Sequence, residues 1–146
     1  MKVETTRFGE IEIEEHSILN FVEPIFGYEN YSKYTIIEHN GNDMFQWLQC
    51  IENPELAFPI SIPGYFNIKD YIFEIDDTTA EKIEAQDANN LMIYNIVTIP
   101  VNNPKSATIN LLGPIIINTQ NNKALQYVVT NSSYSSRYPL FELETV

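Results

Sequence analysis

Met44-Phe45-Gln46-Trp47-Leu48-Gln49-Cys50-Ile51-Glu52-Asn53-Pro54-Glu55-Leu56-Ala57-Phe58-Pro59-Ile60 is two apolar runs divided by an acidic break. From Phe45 to Ile51, large apolar residues alternate with polar or small ones, the pattern of a mostly buried strand. Leu56 to Ile62 reads as the next strand. Between them Pro54 fixes its own φ and holds Asn53 extended, so Glu52-Asn53-Pro54-Glu55 turns the chain at a rim. Two adjacent strands joined by a short turn place the chain among antiparallel β folds. The only Trp and the only Cys both lie on the first of these strands.

The flanking sequence repeats the pattern. Glu10-Ile11-Glu12-Ile13-Glu14 alternates strictly, with Phe8, Ile11 and Ile13 expected inward and a ladder of glutamates outward. Lys33 to Glu38 is a further strand, closed by the turn Asn40-Gly41-Asn42-Asp43. Tyr71 to Ile75 follows the Pro63-Gly64 turn, and Leu91 to Ile99, Thr108 to Leu112, Pro114 to Asn118 and Leu125 to Thr130 complete the set. One helix is expected over Thr78 to Gln86, opening on Thr78-x-x-Glu81 at capping-box spacing, with Asp76 and Asp77 at its positive end. Short strands at this spacing predict a mostly β, single-domain, antiparallel barrel-like fold over residues 1–146, with one or two short helices. Residues 141–146 read as a flexible acidic tail.

Charge is the informative part of the composition. Twenty acids against eight bases give −12. Residues 1–87 hold 18 acids and 5 bases, a net of −13, whereas residues 88–146 hold 2 and 3, a net of +1. Such a field repels phosphate backbones and attracts basic proteins, although acids also keep small domains soluble. No apolar run reaches the roughly 18 residues a membrane span needs. The opening MKVETTRFGE is too acidic for a secretory leader, so a cytoplasmic location is expected and the sequons at Asn30 and Asn131 carry no weight.

Chemistry is sparse. Cys50 lies mid-strand without a local cation or helix N-terminus to lower its pKa, and reads as a core residue. His16 and His39 show no metal-ligand spacing, and Glu74, Asp76 and Asp77 lack the glycine a calcium loop needs. Catalytic residues, metal and cofactor are accordingly expected to be none, and Cys50, His16 and His39 to be dispensable. Trp47, Phe45 and Phe58 read as core. Tyr28, Tyr31, Tyr34, Tyr65, Tyr127, Tyr134 and Tyr138 sit beside turns and polar runs, where phenols serve interfaces.

Several blocks then fall in order: Thr6-Arg7-Phe8-Gly9-Glu10-Ile11, Pro24-Ile25-Phe26-Gly27-Tyr28-Glu29, Phe45-Gln46-Trp47-Leu48-Gln49, Pro54-Glu55-Leu56-Ala57-Phe58 and Asn110-Leu111-Leu112-Gly113-Pro114-Ile115-Ile116-Ile117-Asn118, followed by Gln126 through Tyr134, Arg137 and Leu140. Together they resemble the FliW family of flagellar assembly factors, with Cys50 where that family commonly has Ser and Gly113 where it commonly has Ala. The resemblance implies a small antiparallel β-barrel-like fold and a non-enzymatic regulator. Its partners would be the RNA-binding translational repressor CsrA and flagellin. Free flagellin would sequester the protein; export of flagellin would release it to remove CsrA from the flagellin message, by an indirect route away from the RNA face. A monomer is expected in the unbound state. From charge and exposure, Glu10, Glu12 and Glu14 on the outer strand face, Glu52 and Glu55 at the turn, and Tyr28 are the expected protein-binding residues. The rival class is a small β-barrel ligand- or sugar-binding module or enzyme using exposed Tyr and carboxylates, which requires a pocket of convergent carboxylates.

Overall fold

Among the residues described by the computed structural model, namely 1–38, 44–66, 68, 71–130 and 133–141, the strands are β1 (Lys2–Thr5), β2 (Gly9–Glu12), β3 (Leu19–Phe21), β4 (Lys33–Glu38), β5 (Gln46–Cys50), β6 (Ala57–Ser61), β7 (Leu91–Thr98), β8 (Thr108–Ile109), β9 (Ile115–Asn118), β10 (Lys123–Gln126) and β11 (Tyr138–Pro139). One α-helix, α1, spans Asp77–Lys82. His39, the expected turn at Asn40-Gly41-Asn42-Asp43, Asn131 and tail residues 142–146 lie outside the described residues.

The quoted stretch forms the expected hairpin, β5 against β6, in the register Gln46↔Ile60 to Gln49↔Ala57. From there the sheet runs β6–β5–β4–β3–β10–β9 and closes where β9 pairs with β7, which also pairs with β6. The result is the expected barrel. Every pairing is antiparallel except β3 with β10, which is parallel through Asn20↔Lys123 and Phe21↔Ala124. Strand β7 is long enough to serve three neighbours. Its first half takes β9, and its second half takes β8, to which β11 adds a short outer strand.

Packing follows the two-residue period of a strand. Leu48 and Cys50 of β5, Tyr34 of β4, Ile60 of β6, Tyr94 of β7 and Ile115 and Ile117 of β9 fill the barrel interior together with Phe21, Ile25 and Ala124. Ile116 points the other way, into a second core with Ile83 and Leu125. Both faces of β9 are thus buried, which is why Ile115-Ile116-Ile117 is unbroken. A third core, Val97, Ile109, Leu111 and Leu140, lies beneath the β8–β11 extension.

Four expectations are corrected. Tyr34 is fully buried rather than half exposed. Trp47 is not in the barrel core: it sits on the outer face of β5, half buried, beneath the turn between β1 and β2, where the Arg7 guanidinium lies 4.0 Å from its ring and Phe8 meets it edge-on at 6.1 Å. The helix starts at Asp77, and its N-cap is Asp76, whose Oδ1 accepts from Thr79 N at 2.7 Å, in place of a Thr78–Glu81 box. Hydrogen bonding from the Thr79 side chain, and next from Thr79 N, holds the Asp76 carboxyl below its ordinary pKa. Finally, 71–75 is no strand. Its alternation is real, with Tyr71, Phe73 and Ile75 packed inward and Ile72 and Glu74 exposed. Tyrosine hydroxyls bond it instead of a ladder. Tyr134 Oη accepts from Ile72 N at 2.8 Å and donates to Ile72 O at 3.0 Å, and Tyr127 Oη donates to Glu74 O at 3.1 Å. This strap closes the outer side of the second core.

Candidate functional site

The hairpin β1–β2 stands outside the barrel sheet, paired Lys2↔Glu12, Val3↔Ile11, Glu4↔Glu10 and Thr5↔Gly9. Gly9 takes φ +69, which the turn requires and a side chain would resist. Val3 and Thr5 are buried against the barrel, so alternation drives Lys2, Glu4, Glu10 and Glu12 outward. Glu4 and Glu10 oppose each other directly. A carboxyl–carboxyl hydrogen bond to Glu10 and the charge of Glu10 raise the Glu4 pKa above its ordinary value. Lys2 Nζ lies 3.6 Å from Glu10, and Glu12 accepts from the N-terminal ammonium at 2.8 Å. Glu14 follows the strand, 3.0 Å from His16 Nδ1. These are solvent-exposed pairs and contribute little stability, so the face remains a readable acidic surface.

The hairpin tip abuts the acidic turn of the quoted stretch. Thr6 N donates to Pro54 O at 2.9 Å. Within that turn Asn53 Oδ1 accepts from Glu55 N at 3.0 Å, and Asn53 Nδ2 donates to Tyr31 Oη at 3.2 Å. Glu52 does a structural task. Its Oε1 accepts from Ser32 N at 2.7 Å and Lys33 N at 2.8 Å, fixing the start of β4 to the end of β5. Glu55 is exposed. Tyr28 is 38% exposed and leans edge-on against Phe58 with centroids 5.0 Å apart, on a loop whose Gly27 takes φ +90. That loop is tied to β10 by Phe26 N donating to Gln126 Oε1 at 3.0 Å.

Of the six expected binding residues, Tyr28, Glu52 and Glu55 thus belong to one rim built from the 24–33 and 51–56 segments. Glu10 lies mid-hairpin. Glu12 and Glu14 lie toward the far end, by the N-terminus, where Ile13 N bonds Met1 O. The hairpin joins the two groups. Sequence reading missed Glu4, although Lys2-Val3-Glu4-Thr5 already alternates.

Among the described residues, Cys50, His16 and the carboxylates are the groups the sequence put forward for nucleophilic or metal chemistry. Cys50 is fully buried, and burial raises its thiol pKa, the reverse of what a nucleophile needs. No group of three or more His, Cys, Asp or Glu is placed to hold a metal ion among those residues. Nor is any helix among them long and apolar enough to cross a membrane.

The opposite character appears around the strap. Ile72 projects at its crest, 77% exposed. On one side lies an apolar groove of about 420 Å³, walled by Ile62, Pro63, Ile68, Phe73 and Ile93. On the other lies a second groove of about 420 Å³ between the strap and Tyr127, Val129 and Thr130, with Glu74 and Asp76 on its wall. Among the described residues, the first groove is lined by no carboxylate and the second by two, the exposed Glu74 and the helix-capping Asp76.

Comparison with known proteins gives one consistent result. The family described as "FliW protein" matches residues 2–140. The chain is 39% identical over 143 residues to the flagellar assembly factor FliW of Thermoanaerobacter pseudethanolicus, spanning 97% of this chain and 94% of that one. Against the flagellar assembly factor FliW of Alkaliphilus metalliredigens it is 38% identical, over 97% and 87% of the two chains. A solved structure, the crystal structure of the flagellar assembly factor FliW, superposes with a TM-score of 0.90 at 27% identity, covering 99% of this chain and all of the other.

Proposed function

The chain belongs to the FliW family of flagellar assembly factors, and from that membership we propose that it is a non-enzymatic, protein-binding regulator acting in the cytoplasm. Its partners are the repressor CsrA and flagellin, and it makes no direct contact with nucleic acid. Flagellin holds it until export; once free, it draws CsrA from the flagellin message.

The observation that carries this reading is the outward face of the β1–β2 hairpin, where Glu4, Glu10 and Glu12 gather with one lysine. A repressor that holds RNA offers basic surface. A carboxylate face docked beside that surface attracts it and repels the phosphates it would otherwise hold, without occupying the RNA site. The opposed Glu4 and Glu10 support the same reading, because a cation brought to them relieves their repulsion.

The test is binding of purified CsrA and purified flagellin to the immobilised chain at low and high salt. Changing Glu10, Glu12 and Glu14 together to Gln is expected to lower the CsrA on-rate and flatten its salt dependence, with a smaller effect on flagellin. An unchanged CsrA on-rate in the folded triple variant would refute the role of the hairpin. A wild-type chain that binds neither protein would refute the reading itself. At the rim, Glu55 and Tyr28 are the cleaner probes, since replacing Glu52 also releases Ser32 N and Lys33 N.

A further inference from the structure

Gln49 follows Trp47 by two residues on β5, so both side chains leave the barrel on its outer face. Trp47 is half buried there, whereas Gln49 is completely buried. Its Nε2 faces four backbone oxygens of the turn that ends the strand. It donates to Cys50 O at 3.0 Å and to Leu56 O at 3.1 Å, and lies 3.3 Å from Pro54 O and 3.5 Å from Asn53 O. Its Oε1 is buried and meets no donor among the described residues. An unpaired buried acceptor costs stability, so stability alone does not account for this amide. Its side-chain hydrogen bonds all go to the 50–56 turn.

Pro54 O is the point at which that turn meets the β1–β2 hairpin, because it also accepts from Thr6 N at 2.9 Å. The hairpin tip beyond Thr6 is braced from within. Thr5 Oγ1 donates to Gly9 O and accepts from Phe8 N, each at 2.8 Å. Arg7 and Phe8 of the same tip rest on Trp47. A two-stranded hairpin is marginal by itself, so its orientation on the barrel depends on such anchorage. On the other side of the turn, Asn53 fixes Glu55 N and Tyr31 Oη, and Glu52 fixes the start of β4. Gln49 therefore sits under the junction of two carboxylate groups, Glu4, Glu10 and Glu12 on the hairpin and Glu55 at the rim.

From this convergence we infer that Gln49 is a positioning residue: its buried amide holds the acidic turn and, through Pro54 O, the hairpin in one fixed arrangement, so that their carboxylates act as a single docking surface. Without the amide, four carbonyl oxygens would face one another in a space closed to water, and their repulsion would reshape the turn. Glu55 and the hairpin glutamates would remain, but no longer in a fixed relation. A charged surface set in advance attracts a complementary partner from the first encounter, whereas two patches that move independently lose part of that attraction to ordering. The inference rests on the functional reading above, in which a basic repressor meets this face.

The test uses the full chain, with purified CsrA as the probe. Gln49→Met keeps the length of the side chain and removes both donors together with the orphan acceptor, so the variant is expected to fold and to melt cooperatively. The amides of Thr6 and Leu56 bond to two of the carbonyls that Gln49 faces, Pro54 O and Asn53 O. Their protection against exchange should fall together by about tenfold in the variant. Trp47 emission should shift to the red as Arg7 and Phe8 loosen from its ring. The CsrA on-rate should fall by about threefold or more at low salt and by less at high salt. Loss of protection at Leu56 with Thr6 and Trp47 unchanged would show that the hairpin is held independently, and overturns the inference. Loosening at Thr6 with an unchanged CsrA on-rate also overturns it and leaves the functional reading standing. A wild-type chain that binds no CsrA defeats the functional reading, and the positioning role goes with it. One check needs no variant and holds whether or not Gln49→Met folds. In the wild-type chain Thr6 and Leu56 should open as one unit, with protection factors within about threefold of each other, and a Thr6 amide that exchanges far more freely than Leu56 refutes the coupling.

Discussion

Replacing Tyr134 by phenylalanine removes one oxygen and keeps the ring that meets Tyr71 at 4.8 Å. That oxygen accepts from Ile72 N at 2.8 Å and donates to Ile72 O at 3.0 Å. Each such bond contributes about 0.5–1.5 kcal/mol net, and the strap backbone is exposed enough for water to take over part of the role. The loss is therefore expected at about 1–2 kcal/mol. The strap lies outside the barrel ladder, so the cost falls first on its local opening and only partly on global unfolding. Amide exchange reads this directly: protection of Ile72 should drop by about 5–30-fold, the factor that corresponds to about 1–2 kcal/mol. The melting temperature should fall by no more than about 6 °C in a chain of this size. Tyr127→Phe, which removes only the bond to Glu74 O, should have about half the effect. The two changes act on one strap, so their combination should depart from additivity. Unchanged protection at Ile72 in Tyr134→Phe would refute the claim that hydroxyls stand in for a strand ladder.

Three further outcomes follow from the same reasoning. Trp47→Ala should cost about 2 kcal/mol in urea unfolding, below the roughly 3–5 of a buried Trp, because Trp47 is half buried under Arg7; Arg7→Ala should cost about 0.5–1 kcal/mol, and a double-mutant cycle should show the two coupled. Glu52→Ala should destabilise by about 1–2 kcal/mol through the freed Ser32 and Lys33 amides, whereas Glu55→Ala should stay within about 0.5, and equal effects would contradict the clamp role of Glu52. The Cys50 thiol, buried and with a raised pKa, should react with a thiol reagent only at the rate of unfolding, and prompt labelling in native buffer would overturn its placement in the barrel interior.

What the sequence disclosed and what it hid divide along physical lines. Lys33 to Glu38 is read with the ends that β4 has, because its aromatic and β-branched run Tyr34-Thr35-Ile36-Ile37 is bounded by exposed charged residues and both of its neighbours are antiparallel strands. The triple isoleucine of β9 is legible because burial on both faces demands it. Leu19–Phe21 was missed because three residues show no period, and its pairing with β10 depends on a segment about a hundred residues away. Tyr71 to Ile75 has the alternation of a strand, but periodicity reports which side is buried and says nothing of what the backbone bonds to. For Trp47 the period was right and the choice of face was wrong, since alternation alone does not separate the inside of a barrel from an outer face covered by a hairpin. On the binding side, the glutamate ladder was legible as exposed charge. The clamp role of Glu52 and the strap grooves arise from contacts between distant segments, and no local pattern encodes them.

The single parallel seam bears on how the chain is made. Strand β3 lies in the first twenty or so residues and β10 after residue 122, and their junction is sewn by Asn122 Nδ2 to His16 O across 106 residues and by Phe26 N to Gln126 Oε1 across 100. On a ribosome, β4, β5 and β6 can form an antiparallel meander as soon as they emerge, since each pairs with the strand before it. The free side of β3 cannot be covered until Lys123–Gln126 has left the exit tunnel. For most of synthesis the nascent chain therefore carries an open strand edge, the kind of surface that pairs with other nascent chains. A chain that stopped before Lys123 would keep that edge indefinitely, so in this fold the arrival of β10 converts an adhesive half-barrel into a closed one.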